Sequence, residues 1–236
     1  MAEKTKQNIL VIGPSWVGDM VMSQSLYIRL KQNNPENRIT VMAPSWTRPL
    51  LDRMPEVDAR LDFDLEHGEL KLAARRSLGK SLRDSHFTQA IVLPLSFKSA
   101  LVPFHANIKI RTGWRGEWRN VLLNDCRPPQ DENFPLMVQR FAALANPRAS
   151  LPPENISNPK LSIQQSDVNS SLSKFELTKE LTILAISPGA EFGEAKQWPS
   201  EYYAELTNAV LQQGWQVWIF GSVNDCLLYT SDAADE

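Results

Sequence analysis

Asn8-Ile9-Leu10-Val11-Ile12-Gly13-Pro14-Ser15-Trp16-Val17-Gly18-Asp19 reads as a buried strand, a glycine-punctuated loop and the first turn of a helix that carries a carboxylate. An apolar run ended by glycine and followed by helical periodicity is the opening βα unit of a doubly wound sheet, whose ligands sit beyond the carboxyl ends of the strands. Asp19 is therefore the first residue to weigh for chemistry. In the helix, Met22, Leu26 and Leu30 recur at i, i+4 and i+8, whereas Gln24, Arg29 and Lys31 lie elsewhere, so one stripe packs on the sheet.

Outward from this unit, strand-like runs at Asn8–Ile12, Arg38–Met42, Arg60–Phe63, Gln89–Leu93 and Ile108–Thr112 alternate with helical patterns. That alternation predicts a mostly parallel sheet covered by helices. Asn146–Lys160 holds four prolines and three asparagines, which block regular helix or central strand and read as an interdomain linker. The opening pattern then returns, with an apolar strand at Leu181–Ile186, a turn at Ser187-Pro188-Gly189-Ala190, a helix at Pro199–Gln213 ended by Gly214, and a strand at Gln216–Phe220. The expected class is α/β with two Rossmann-like domains, the second incomplete. Residues 1–145 form the first domain, 146–180 a linker and crossing segment, and 181–225 the start of the second. Residues 226–236, Cys226-Leu-Leu-Tyr-Thr-Ser-Asp-Ala-Ala-Asp-Glu236, resemble a translated sequencing adapter and are expected to be a non-native tail.

The composition, 42% hydrophobic and 22% charged over 236 residues, is that of an ordinary soluble chain. A net charge of −2 argues against a dedicated nucleic-acid binder, although cations gather at Lys71, Arg75, Arg76, Lys80 and Arg83 and again at Lys109, Arg111, Arg115 and Arg119. The first group lies on a predicted helix with Leu72 and Leu78 and reads as a solvated face, with contact to a membrane surface as the minority reading. No run reaches the roughly 18 residues that span a bilayer, and Met1–Gln7 is too polar for a signal peptide, so a cytoplasmic location is expected. Cys126 and Cys226 lack partners at zinc spacing and His67, His86 and His105 are scattered, so no metal site is expected.

The loop after the first strand lacks the dinucleotide fingerprint, because Ser15 stands where a glycine is needed and the second strand ends in Ala43-Pro44-Ser45 rather than an acid. Asp19 at the helix start has two readings: a cap for the helix, or an ionised carboxylate that accepts a proton from a substrate hydroxyl. Lys98, in the segment after the fourth strand, and Arg111 and Arg115, in the segment after the fifth, are read as lying at the carboxyl ends of strands, placed to line the same crevice and bind an anionic acceptor. Arg115 has the alternative of a surface pair with Glu117. In the second opening, Gly189, Ala190 and Glu191 lie in a flexible loop and Lys196 stands just before a helix, an arrangement suited to a phosphate. A solvated surface lysine is the competing reading.

Longer motifs stand at Ile12-Gly13-Pro14-Ser15-Trp16-Val17-Gly18-Asp19-Met20, Val41-Met42-Ala43-Pro44, Arg48-Pro49-Leu50-Leu51, Ser96-Phe97-Lys98-Ser99-Ala100-Leu101-Val102-Pro103-Phe104, Arg111-Thr112-Gly113-Trp114-Arg115-Gly116-Glu117 and Pro188-Gly189-Ala190-Glu191-Phe192-Gly193. Together they resemble the lipopolysaccharide core heptosyltransferases. The resemblance implies the glycosyltransferase-B architecture, with the acceptor held mainly by the first domain and the nucleotide-sugar donor by the second. It implies transfer of L-glycero-D-manno-heptose from ADP-heptose to the first heptose of the inner core, attached to Kdo and lipid A, with inversion and with no required cofactor. Asp19 then corresponds to the family's base, Lys196 to a lysine near the donor phosphates, and Ser15, Trp16, Lys98, Arg111 and Arg115 to the acceptor side. A lipid-linked acceptor implies peripheral contact with the cytoplasmic face of the inner membrane. The family's donor motif Asp-Ser/Thr-Gly-x-x-His is absent and expected beyond Asp225, so the gene product is expected to be an active transferase and this chain a largely inactive part of it. The rival readings are a non-catalytic core-oligosaccharide or phosphate-binding fragment and a related heptosyltransferase with another acceptor.

Overall fold

The computed structural model of the chain describes residues 5–63, 70–129, 132–148, 155–189 and 194–221. The expected site residues Ala190 and Glu191 and the expected tail 226–236 lie outside these residues. Two compact units divide the chain, Met1–Ile163 and Gln164–Glu236.

In the first unit the described elements are β1 (Asn8–Ile12), α1 (Val17–Asn33), β2 (Arg38–Ala43), α2 (Arg48–Leu51), β3 (Ala59–Asp62), α3 (Leu72–Ser81), β4 (Gln89–Val92), α4 (Leu101–His105), β5 (Ile110–Trp114), β6 (Asp125–Arg127) and α5 (Met137–Ala143). Every pairing between these strands is parallel, in the order β3-β2-β1-β4-β5-β6. The strand order reverses between β1 and β4, so the loops after those two strands diverge and leave a crevice at the carboxyl edge of the sheet.

Alternation along each strand divides the core into two layers. On one face Ile9, Val11, Ile39, Val41 and Ile91 pack with Met20, Leu26 and Leu30 of α1 and Phe141 of α5. On the other, Leu10, Ile12, Met42, Ala90 and Val92 pack with Leu82 and with Leu101 and Val102 of α4. Burial on both faces explains why β1 reads as a continuous apolar run. The predicted stripe of α1 is present but too narrow: Gln24, expected off the core, is fully buried. Its side-chain amide donates to the Lys160 carbonyl at 3.0 Å, and its oxygen accepts from the Lys160 N–H at 2.8 Å. A polar side chain fits inside here because main-chain groups satisfy it, and the same bonds fasten Lys160, in the expected linker, to the first unit.

In the second unit, α6 (Gln165–Lys174) precedes β7 (Ile183–Ile186), α7 (Ser200–Leu211) and β8 (Gln216–Ile219). β7 and β8 pair in parallel, so β7, α7 and β8 form a second βαβ unit. Gly214 takes φ +79°, the left-handed conformation that carries the chain out of α7 toward β8.

Candidate functional site

Asp19 occupies the first turn of α1, three residues beyond the N-cap Trp16, and α1 has no side-chain cap. Its half-buried carboxylate has no hydrogen-bond or ion-pair partner among the described residues. The capping reading therefore fails. A cavity of about 250 Å³ opens beside it, lined by Pro14, Asp19, Leu95, Trp114, Arg115 and Met137 among others. The Trp114 indole donates to the Arg140 carbonyl at 3.1 Å, which ties the end of β5 to α5 and fixes one apolar wall.

A second, smaller cavity of about 100 Å³ adjoins it, and Pro94 borders both. Its lining is more polar and includes Ser15, Arg75, Ser96, Lys98 and Ser99. The loop carrying Ser15 is held by the Trp46 indole, which donates to the Ser15 carbonyl at 3.0 Å. Trp16 is 46% exposed at the head of α1. Ser15, Asp19, Lys98 and Arg115 thus meet at two neighbouring cavities on the carboxyl edge, as the order of the strands requires.

Arg111 does not join them. β5 runs two residues later than predicted, so Arg111 sits in its first half, paired in register with Ala90. Its guanidinium donates to the carbonyls of Ile108 and Leu122, both at 2.6 Å, and lies over the Phe104 ring. Arg111 is a structural cation. The alternative pairing of Arg115 with Glu117 is not formed either: Glu117 Oε2 accepts from the Phe97 N–H at 3.2 Å, and the Arg115 guanidinium has no partner among the described residues.

Two basic residues are buried, Arg75 from the group expected to form a solvated face and Arg119 from the second cationic group. Arg75 is 6% exposed, stacks on Phe63, and donates to the Leu70 and Lys98 carbonyls at 2.9 and 3.2 Å. Its burial pushes its guanidinium pKa down. Arg119 is fully buried beneath the loop that bears Arg115. Neither was legible as an internal residue, because charge counts do not show which carbonyls a guanidinium meets; Gly113, whose missing side chain leaves room for the Arg119 guanidinium, is a signal for Arg119.

In the second unit Gly189 follows β7, and Lys196 is exposed in a short 3-10 turn, Glu194–Lys196, ahead of the N-terminus of α7. Backbone N–H groups at that helix start and the Lys196 cation suit an anion. Among the described residues no group of His, Cys, Asp or Glu is placed to hold a metal ion. No described helix is long and apolar enough to cross a membrane.

Residues 75–232 match the family model for glycosyltransferase family 9 (heptosyltransferase). The chain is 50% identical over 222 residues to lipopolysaccharide heptosyltransferase 2 of Salmonella typhimurium, covering 92% of this chain and 64% of that protein. It is 48% identical over 225 residues to lipooligosaccharide heptosyltransferase 2 of Haemophilus influenzae, again covering 92% and 64%. The solved structure of E. coli ADP-heptose LPS heptosyltransferase II superposes with a TM-score of 0.87 at 46% identity, over 94% of this chain and 66% of that one. The chain therefore spans about 64% of the length of the curated relatives it matches. The α/β fold with two Rossmann-like units is of the glycosyltransferase-B type.

Proposed function

This chain belongs to glycosyltransferase family 9, and on that premise we propose that the protein carrying it transfers L-glycero-D-manno-heptose from ADP-heptose to the first heptose of the lipopolysaccharide inner core. One observation carries the reading: Asp19, its carboxylate unpartnered among the described residues, lines a largely apolar cavity together with Arg115 at the crossover point of the sheet.

A carboxylate so placed takes the proton from an acceptor hydroxyl as that oxygen bonds to the anomeric carbon. The bond from the anomeric carbon to the diphosphate breaks on the opposite face, the configuration inverts, and ADP departs with the bonding electrons. Lys196 and the N-terminus of α7, with Gly189, Ala190 and Glu191 earlier in the sequence, are assigned to the donor diphosphate, where fixed positive charge stabilises the leaving group. Ser15, Trp16, Lys98 and Arg115 are assigned to the acceptor, whose Kdo carboxylates are anionic. In this reading the transfer needs no cofactor. The acceptor is anchored by lipid A, so the protein works from the cytoplasm as a peripheral visitor to the inner membrane.

The test mixes the protein with ADP-heptose and heptosyl-Kdo-lipid A. The reading expects one ADP released per heptose added, with inverted linkage on the first heptose. Acceptor binding by calorimetry without ADP release would replace the transferase by a binding module, and linkage to another sugar would move it to a different acceptor specificity.

A further inference from the structure

The Arg119 side chain lies where β4 and β5 end, with none of its surface exposed and no carboxylate partner among the described residues. Its Nε donates to the Trp114 carbonyl at 2.8 Å, Nη2 to the Val92 carbonyl at 3.2 Å, and Nη1 to the Pro94 carbonyl and to Ser99 Oγ, the latter at 3.4 Å. One cation thus gathers the last residue of β4, the loop after it, the turn before α4 and the last residue of β5. Gly113 makes the room: a Cβ there would stand 2.6 Å from Arg119 Nη2 and 2.9 Å from the Val92 carbonyl. Burial pushes the guanidinium pKa down to about 10, the mark of a charge held at a cost.

Between Trp114 and Arg119 the chain forms an arch, Arg115-Gly116-Glu117-Trp118. Its inner side is closed by the Arg119–Trp114 bond. Its outer side leans on Leu95, which accepts the Glu117 N–H at 3.2 Å and lies so near Gly116 that a Cβ would meet the Leu95 carbonyl at 2.3 Å. Trp118 takes φ +44°, a left-handed conformation that a bulky residue keeps only when its surroundings impose it. Arg115, on the arch, lines the cavity of Asp19.

We propose that Arg119 is a positioning residue that holds this arch so that Arg115 meets the acceptor beside Asp19. The inference rests on the assignment of Arg115 to the acceptor. Lysine at position 119 keeps the charge but offers a single nitrogen, which cannot reach four acceptors in a plane.

Arg119→Lys and Gly113→Ala test it in the protein carrying this sequence; the alanine pushes the guanidinium aside with Arg119 unchanged. Both variants are expected to melt cooperatively and to raise the acceptor KM roughly tenfold or more, the size of losing a charge-assisted hydrogen bond, with the ADP-heptose KM unchanged. Trypsin is expected to cut after Arg115 faster than in the parent at equal folded fraction, and the Arg115→Ala/Arg119→Lys double variant to be no worse for acceptor than Arg115→Ala alone. Additive effects, equal losses for donor and acceptor, unchanged trypsin cutting, or loss of the fold in both variants would make Arg119 a core residue only. If the parent itself transfers no heptose, the proposed function falls, while the trypsin comparison still decides whether Arg119 holds the arch.

Discussion

Asp19 and Arg115 line one cavity without pairing with each other or with any other described side chain. A carboxylate and a guanidinium left without partners among the described residues, at the carboxyl edge of a parallel sheet, are available to a ligand.

Arg115→Ala is expected to raise the acceptor KM roughly tenfold with the donor KM unchanged, since a charge-assisted contact to an anion is lost. Steady-state kinetics with acceptor varied at saturating ADP-heptose measures it; an unchanged acceptor KM removes Arg115 from the acceptor site.

Lys196→Ala is expected to slow transfer and weaken ADP binding by roughly tenfold, more at low salt than at high, because the lysine is exposed and its charge is screened. Calorimetry with ADP at two ionic strengths checks this, and equal ADP affinity in parent and variant returns Lys196 to a solvated surface role.

Leu26→Ala empties a site at the centre of the layer between α1 and the sheet, where Leu26 has no exposed surface. It is expected to cost about 2–5 kcal/mol of stability. Urea unfolding measures the loss, and a change below about 1 kcal/mol would mean the layer is not packed as described.

Asp58 sets a pH dependence of stability. Burial pushes its carboxyl pKa up, but the Ile39 N–H at 2.7 Å and the Lys31 ammonium at 2.9 Å, with Arg38 nearby, hold it below the ordinary 3.8. A depressed folded pKa contributes stability that is present above the unfolded value and is lost as pH falls through the folded one. Asp58→Asn is therefore expected to be less stable than the parent at pH 7, with the gap closing below about pH 4. A gap that stays constant with pH contradicts the assignment.

The sheet was readable where strands are buried on both faces. β1 and β4 are apolar after their first residues, β2 is apolar but for Arg38 and Thr40, and Gly13 marks the turn to α1. β6 escaped notice because it is three residues long at a sheet edge, Asp125-Cys126-Arg127, and its two charges pair with each other at 2.8 Å. β5 starts and ends two residues later than the predicted Ile108–Thr112, and Gly113, which it includes, is the strand residue that admits the Arg119 guanidinium. At the site, Asp19, Ser15, Lys98 and Arg115 were legible from their place after strands. Arg111, Arg75 and Arg119 were not, because a cation spent on main-chain carbonyls and one offered to a ligand look alike in sequence. The apolar wall supplied by Phe134 and Met137 was also hidden, since it depends on how α5 packs against α1.

The most direct test is the turnover of Asp19→Asn beside its affinity for ADP-heptose. Removing a general base is expected to lower kcat by about 10²- to 10⁴-fold, with donor affinity by calorimetry unchanged, because asparagine keeps the shape but cannot hold the acceptor's proton. Turnover comparable to the parent would contradict the account and leave Asp19 without a part in the chemistry.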